Sequence, residues 1–312
     1  MKALVTGGAG FIGSHIVDAL IGRGDDVAVV DDLSRGQRSQ VNAGARLHVV
    51  DVRASALADV LLSERPEVVY HQAAQIDVRR SIAEPLLDTD VNVVGTVNVL
   101  QACVAAGVRR VVFASSGGAI YGDTDVVPTP ETHAAHPASL YGAAKLCGEA
   151  YGGVYAQLYG LEFVSLRYAN VYGPRQDPHG EAGVVAIFAR KLLGDEVPVI
   201  NGDGLQKRDY VYVGDVVRAN LLATGADASA LGAYNVGTGR ETDVATLFAM
   251  LREACGVSVD AVHGPSKPGE QMRSCLDASL AASRLGWSPS VRLEDGLRDT
   301  VEFFRAGAVA SR

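Results

Sequence analysis

Lys2-Ala3-Leu4-Val5-Thr6-Gly7-Gly8-Ala9-Gly10-Phe11-Ile12-Gly13 begins as a short apolar run and passes into a turn built on glycine. The run reads as a buried strand, and an amphipathic helix is expected over residues 14–23. Strand, glycine turn and helix in that order suit a dinucleotide. Glycine lets backbone close on a pyrophosphate, and a helix N-terminus meets it with N–H groups and the positive end of the peptide dipoles. Residues 26–30 form a second strand-like run that ends at Asp31-Asp32. An acid about twenty residues beyond the glycines is placed to accept from ribose hydroxyls and to repel a 2′-phosphate. Arg35 would suit that phosphate, but the acid at the strand end decides for NAD over NADP.

The pattern repeats downstream. Residues 46–50 end at Asp51-Val52, placed to flank an adenine, and residues 67–71 run into Gln72-Ala73-Ala74-Gln75, small enough at the centre for a flat cofactor to lie against backbone. Residues 109–113 run out into Ala114-Ser115-Ser116-Gly117-Gly118, and 161–168 form a further strand ending at Tyr168. Helical stretches alternate with them, one over 86–106 carrying Asn92, another over 139–158. Such alternation implies an α/β fold with a doubly wound parallel sheet, whose ligands sit beyond the carboxyl ends of the strands. The glycine turn, Asp31, Asp51, Gln72 and Ser115 all fall at those ends.

Beyond Tyr168 the pattern loosens. Residues 170–175 read as a turn, 176–183 as a polar loop, 184–193 as a helix and 197–200 as a strand, with amphipathic helices over 242–254 and 294–304. The expected organisation is a dinucleotide-binding domain over 1–168, completed by about 209–241. A smaller lid for the substrate then occupies the rest of 169–312, mainly 169–208 and 242–312.

Composition narrows the classes. With 312 residues, 48% of them hydrophobic, the chain has ample material for a core, and a net charge of -8 leaves no basic face for nucleic acid. Four scattered cysteines form no metal-ligand cluster and are read as reduced. No apolar run reaches the ~18 residues of a membrane span. Met1-Lys2 leads straight into the first strand, so no signal peptide and a cytoplasmic location are expected.

The chemistry is concentrated in Ser139-Leu140-Tyr141-Gly142-Ala143-Ala144-Lys145. Residues four apart lie on one face of a helix, so Tyr141 and Lys145 can point into one cleft. A free phenol titrates near pH ~10, and a fixed ammonium beside it is expected to pull that value toward neutrality and make the tyrosine a base.

On these runs the chain resembles the extended short-chain dehydrogenase/reductase family, and within it the nucleotide-sugar 4-epimerases that act on UDP-glucose and UDP-galactose. The likeness spans nearly the whole chain. It rests on the glycine turn, Asp31-Asp32-Leu33-Ser34-Arg35-Gly36, His71-Gln72-Ala73-Ala74-Gln75, Ser115-Ser116-Gly117-Gly118-Ala119-Ile120-Tyr121-Gly122 and Tyr141 to Lys145. Ala169-Asn170-Val171-Tyr172-Gly173-Pro174-Arg175 and Gln206-Lys207-Arg208-Asp209-Tyr210-Val211 extend it.

The resemblance implies a Rossmann-type fold and NAD as a resident cofactor. NAD would be held by Gly7, Gly10, Phe11, Ile12, Gly13, residues 31–36, Asp51, Val52, Gln72 to Gln75, Asn92, Ser115, Tyr141, Lys145 and Tyr168. It also implies that Tyr141 takes the proton of the sugar 4-hydroxyl while hydride passes to NAD⁺, and that Lys145 binds the nicotinamide ribose. The 4-keto sugar then turns over and is reduced on its other face. Asn170, Arg208, Lys267, Ser274, Val184, Val185 and Val199 would bind the UDP-sugar, and two chains would pair through the helices beginning near Asp90 and Ser139.

Four positions depart from the family pattern. The usual third hydroxyl falls on Gly117, so Ser116, Ser115 or a water takes its place. Leu140 replaces a proline. Lys267 replaces an arginine and so loses the two-pronged grip on phosphate. Ser274 stands where a large residue limits acyl bulk, leaving room for an N-acetylated sugar. A 4,6-dehydratase would need an Asp-Glu pair where Gly118-Ala119 stand. A glucuronate epimerase or a decarboxylase remains open, and a non-catalytic regulator would not need the intact Tyr/Lys pair.

Overall fold

β1 (Lys2–Thr6) lies inside a seven-stranded sheet in the computed structural model of the chain, which describes residues 1–178, 183–227, 230–266 and 271–310. After β1 come α1 (Phe11–Gly22), β2 (Asp26–Asp31), β3 (Arg46–Val49), α2 (Ala56–Glu64) and β4 (Val68–His71). Then follow α3 (Val78–Ala83), α4 (Pro85–Thr89), a π turn (Asp90–Val94), α5 (Gly95–Ala106), β5 (Arg110–Ser116), α6 (Gly117–Ile120), α7 (Leu140–Tyr159) and β6 (Glu162–Tyr168).

The second half contains β7 (Asn170–Tyr172), α8 (Val184–Leu193), β8 (Val199–Asn201), β9 (Lys207–Arg208), β10 (Tyr210–Tyr212), α9 (Val213–Gly225) and β11 (Gly232–Val236). β12 (Thr242–Asp243), α10 (Val244–Cys255), β13 (Val262–Gly264), β14 (Arg273–Ser274), α11 (Ser279–Leu285) and α12 (Leu293–Ala310) complete it.

The large sheet runs β11-β6-β5-β4-β1-β2-β3 with every pair parallel. The winding reverses between β1 and β4, and that reversal opens a crevice at the carboxyl ends of those strands. β4 and most of β1 are buried continuously rather than alternately, as strands covered on both faces must be. Ile16, Val17 and Leu20 of α1 join Val216 and Ala219 of α9 and Trp287 over one face. Leu57, Leu61, Val99, Leu100 and Cys103 of α2 and α5 cover the other with Phe113 and Phe163. A third cluster, around Val185, Phe188, Leu192, Leu247, Leu251 and Leu297, holds α8, α10 and α12 together.

α7 lies very close to the sheet. A Cβ built on Gly148 would sit 2.6 Å from the Phe113 ring, and one on Gly152 would sit 2.2 Å from the Phe163 ring. Two glycines on its inner face therefore let α7 press onto β5 and β6, and this seats its N-terminal turn at the end of β5.

Three local expectations change. The helix expected over 86–106 is broken into α4, the π turn and α5, so Asn92 sits in the π turn. β5 extends to Ser116, placing both serines within the strand. Residues 170–172, expected to turn, form β7 paired in parallel with β10. Their partner lies forty positions along the chain, beyond the reach of any local pattern. Among the described residues no helix is long and apolar enough to cross a membrane.

Candidate active site

Gly7 has φ +69, and a Cβ there would lie 2.7 Å from the Ala73 amide nitrogen; one on Gly13 would lie 2.1 Å from the Gly7 carbonyl oxygen. The turn is therefore closed backbone against backbone. α1 starts inside it, at Phe11 rather than Ser14, with Gly10 as an N-cap that offers no side chain. The first-turn N–H groups near Ile12 and Gly13 thus meet no capping side chain.

Asp31, at the end of β2, accepts from the backbone N–H of Ala9 and of Leu33, each at 2.9 Å. Burial raises its pKa, and those two N–H groups oppose the rise. Ser34 bonds Asp32 through both its amide and its hydroxyl, and the Gln37 amide donates to the Ala9 carbonyl, folding residues 31–36 against the glycine turn. A Cβ on Gly36 would stand 2.7 Å from the Asp31 carboxylate. Arg35 faces Asp177 at 3.8 Å, across from the loop after β7.

Asp51 is gripped by Arg53, whose Nε lies 3.0 Å from both carboxylate oxygens, and Arg53 Nη1 reaches Asp90 at 2.7 Å. That guanidinium holds Asp51 below the usual carboxylate range. Val52 beside it is buried. Gln72 and the Tyr168 hydroxyl meet Asn220, which donates to Tyr168 at 2.8 Å, while the Ala73 amide donates to Thr6 Oγ1; Ala74 continues the same loop. The amides of Gln75 and Asn92 are spent on each other and on Asp88, which both bond at 2.8–2.9 Å. Two residues expected to face a cofactor thus also brace a buried acid through their side-chain amides.

The Ser139 hydroxyl caps α7 by accepting from the Gly142 amide at 3.1 Å, which puts Tyr141 and Lys145 on successive turns of one face. Lys145 is buried; its Nζ donates to the Ala114 carbonyl at 2.9 Å and stands 5.7 Å from the centre of the Tyr141 ring. The Ser116 side chain lies near enough to the Tyr141 phenol to draw its pKa down. Ser115 Oγ is buried without a partner.

The expected acidification of Tyr141 is reversed in this arrangement. Burial pushes its phenol up to about 12, Ser116 pulls it back and Asp88 adds to the rise. Lys145 is brought down to about 8 by burial, with Asp88 and Glu149 opposing. The ammonium lies over the ring face rather than at the hydroxyl, so desolvation of the phenolate prevails. Nearby His71, bonded to Thr6 and Thr96, is fully buried and pushed down to about 3, and so is neutral.

Gly117 has a packing reason. A Cβ there would lie 2.5 Å from Leu276 Cδ1, so Leu276 occupies the space a side chain would need. A Cβ on Gly118 would instead make ordinary van der Waals contacts, 3.7 Å from Asn170 Oδ1 and 3.8 Å from Ser274 Oγ. Ser274 and Arg208 are register partners in the β14–β9 pair, and the Asn170 amide donates to the Asp209 carbonyl. Asp209, buried, accepts from the amides of Thr238, Gly239 and Leu276 and fixes that crossing. Asn170 and Ser274 thus meet beside Gly118 from distant parts of the chain, with Arg208 on the strand next to Ser274. Val185 packs into the third core cluster, Val184 lies against it, and Val199 is exposed on β8. Lys267 lies outside the described residues.

Asp88, Arg53 and Asn220 were not singled out from the sequence. For Asp88 a signal existed: an acid four positions before Asn92 in an apolar helix shares its face.

The family model for the NAD dependent epimerase/dehydratase family matches residues 3–237. The UDP-glucose 4-epimerase of Mycolicibacterium smegmatis is 46% identical, over 98% of this chain and 99% of its own. The crystal structure of UDP-glucose 4-epimerase with UDP-glucose from Thermotoga maritima superposes with a TM-score of 0.96 at 48% identity, covering 99% of this chain and 100% of its own. The UDP-glucose 4-epimerase of Thermus thermophilus in complex with NAD gives 0.93 at 46% identity, covering 98% and 99%.

Proposed function

We propose, for a chain that belongs to the NAD dependent epimerase/dehydratase family, that it inverts C4 of a UDP-hexose, interconverting UDP-glucose and UDP-galactose through a transient 4-keto sugar. The observation that carries this reading is the grouping of Tyr141, Lys145 and Ser116 at the end of β5, beside Gly118, where the side chains of Asn170 and Ser274 come together.

The residues present fit NAD. The close-packed glycine turn, the uncapped start of α1 and the ordered Asp31 carboxylate suit its pyrophosphate and adenosine ribose, and the orphaned Ser115 hydroxyl is a free polar group near the reacting end. When bound, NAD⁺ supplies a hydride acceptor and a positive charge. Tyr141 Oη accepts the proton of the 4-hydroxyl as the alcohol is oxidised and returns it as the ketone is reduced. A phenol with so high a pKa is a strong base once ionised, and added positive charge lowers the cost of ionising it. Lys145 holds a cation beneath the ring, and Ser116 orients the phenol.

Gly118 and Ala119 offer no group that moves a proton, so elimination of water finds no acid there. Gly118 leaves room for the sugar to turn. Since oxidation and reduction cancel within each turnover, NAD stays resident. Residues 1–168 with 209–241 carry it, and the remainder carries the nucleotide sugar.

The test is NMR of the products when purified protein, without added cofactor, meets UDP-galactose and UDP-N-acetylgalactosamine. Both are expected to be converted, and failure on every UDP-hexose overturns the reading. Ser274→Tyr fills the space beside Gly118 and is expected to lower activity on the N-acetylated sugar at least tenfold more than on UDP-galactose. An equal loss on both would remove Ser274 from the choice of sugar.

A homodimer is part of the same reading. Tyr151, Val154 and Leu158 expose a stripe at helical spacing along α7, next to exposed Val94 and Leu86; so large an apolar face on a monomer calls for a cover. Sedimentation is expected to give a dimer at micromolar concentration, and a monomer would refute it. The four cysteines are free, as suits the reducing cytoplasm, where we place the enzyme.

A further inference from the structure

We propose that Asp88 is a positioning residue for the Tyr141–Lys145 pair: a buried carboxylate, locked by two side-chain amides, that serves as the fixed counter-charge of the Lys145 ammonium and restrains ionisation of the phenol. This role presupposes that Tyr141 and Lys145 are the reacting pair.

Asp88 sits on α4 and is 1% exposed. Its Oδ1 accepts from Gln75 Nε2 at 2.8 Å and from Asn92 Nδ2 at 2.9 Å. Neither amide is free to turn. Gln75 Nε2 also donates to the Asp77 carbonyl while its Oε1 accepts from the Asp77 amide. Asn92 Nδ2 also donates to the Gln75 carbonyl while its Oδ1 accepts from the Gln75 amide. Both donors are therefore held on the same oxygen.

Both donors are neutral, and a buried carboxylate with no compensating charge is costly. The other acids on the elements around it have their own partners. Asp77 caps α3 through the amides of Arg79 and Arg80. Glu84 pairs with Arg80, Asp90 in the π turn pairs with Arg53, and Glu149 on α7 pairs with Arg167 on β6 at 2.6 Å. On β5 Arg110 pairs with Glu162; Arg79 is exposed, and His71 on β4 is neutral. Lys145, on the helix α4 packs against, donates only to a carbonyl. Burial raises the Asp88 pKa, and after the two amides the Lys145 charge opposes that rise across the α4–α7 contact.

The sign follows from the charge. A negative group nearby favours Lys145 protonated and Tyr141 protonated, and both pKa values rise because of it. Removing the charge lowers both. Asp88→Asn keeps the shape and an oxygen for the two amide donors.

The experiment titrates Tyr141 by tyrosinate absorbance, as the difference between proteins with and without Tyr141→Phe, in the native and D88N backgrounds, and measures the pH dependence of kcat for each. In D88N the phenol is expected to ionise about one pH unit lower, giving about tenfold more phenolate below the transition. Both limbs of the kcat profile should move toward acid. Unchanged ionisation of Tyr141 and unmoved limbs, whatever happens to Tm or kcat, would make Asp88 purely structural. The absorbance titration needs no sugar, so it decides on Asp88 even if no UDP-hexose is converted. Asp88→Ser serves the same measurement should D88N not fold.

Discussion

Tyr141→Phe is expected to keep its fold and its bound NAD while kcat falls by about three orders of magnitude, the range spanned by loss of a positioned acid–base group. The substitution removes one oxygen. The ring remains, with the Lys145 ammonium 5.7 Å from its centre, and α7 keeps its Ser139 cap and its glycine-mediated packing on Phe113 and Phe163. Only the polar interaction with the nearby Ser116 side chain goes with the oxygen, so Tm should move by no more than a few degrees. What disappears is the atom proposed to accept the carbinol proton, and neither Ser116 nor Lys145 is a substitute: one is a neutral alcohol, the other a buried cation. The measurement is kcat on UDP-galactose together with NAD released from denatured protein. Native turnover in the variant would take the tyrosine out of the chemistry, whereas loss of NAD along with activity would mean that the residue serves binding.

Gly13→Ala is expected to strip the protein of NAD to below about a tenth of the native content, with a fall in Tm. The new Cβ would lie 2.1 Å from the Gly7 carbonyl oxygen and 2.8 Å from the Gly7 carbonyl carbon. These are backbone atoms, not the end of a side chain that could swing aside. The glycine turn has to open, and overpacking of this sort costs about 1–3 kcal/mol even where side chains share the strain. The distorted segment is the one closing on Ala73, so the damage falls where the pyrophosphate would sit. Gly22→Ala, at the far end of α1 with nothing within 4 Å of the new methyl, is the matching control and should be neutral or stabilising by about 0.5 kcal/mol. Full NAD content in Gly13→Ala would show that the turn has slack the geometry does not suggest.

What could be read from the residues was what depends on near neighbours. β1, the glycine turn and Asp31 form one contiguous passage, and α7 carries its own cap and its own Tyr/Lys spacing. The parallel sheet followed from repetition of that unit. What escaped was decided by distant partners. β7 looked like a turn because β10, which makes it a strand, is far along the chain. Asn170 and Ser274 meet, with Arg208 on the strand next to Ser274, only because β9 pairs with β14 and the chain crosses at Asp209. The direction of the Tyr141 shift depends on where the Lys145 ammonium stands relative to the ring, which spacing along a helix does not specify. Gln75 and Asn92 pointed to a cofactor by motif, yet their amide groups turn to Asp88, an acid hidden in an apolar helix.

The leucine lodged against Gly117 has a bearing on redesign. Anyone wishing to install a hydroxyl at that position would find a methylene colliding with Leu276 before any oxygen came near the phenol. Shaving Leu276 first would open a hole in the core that the newcomer only partly refills. The graft is therefore a two-site exchange.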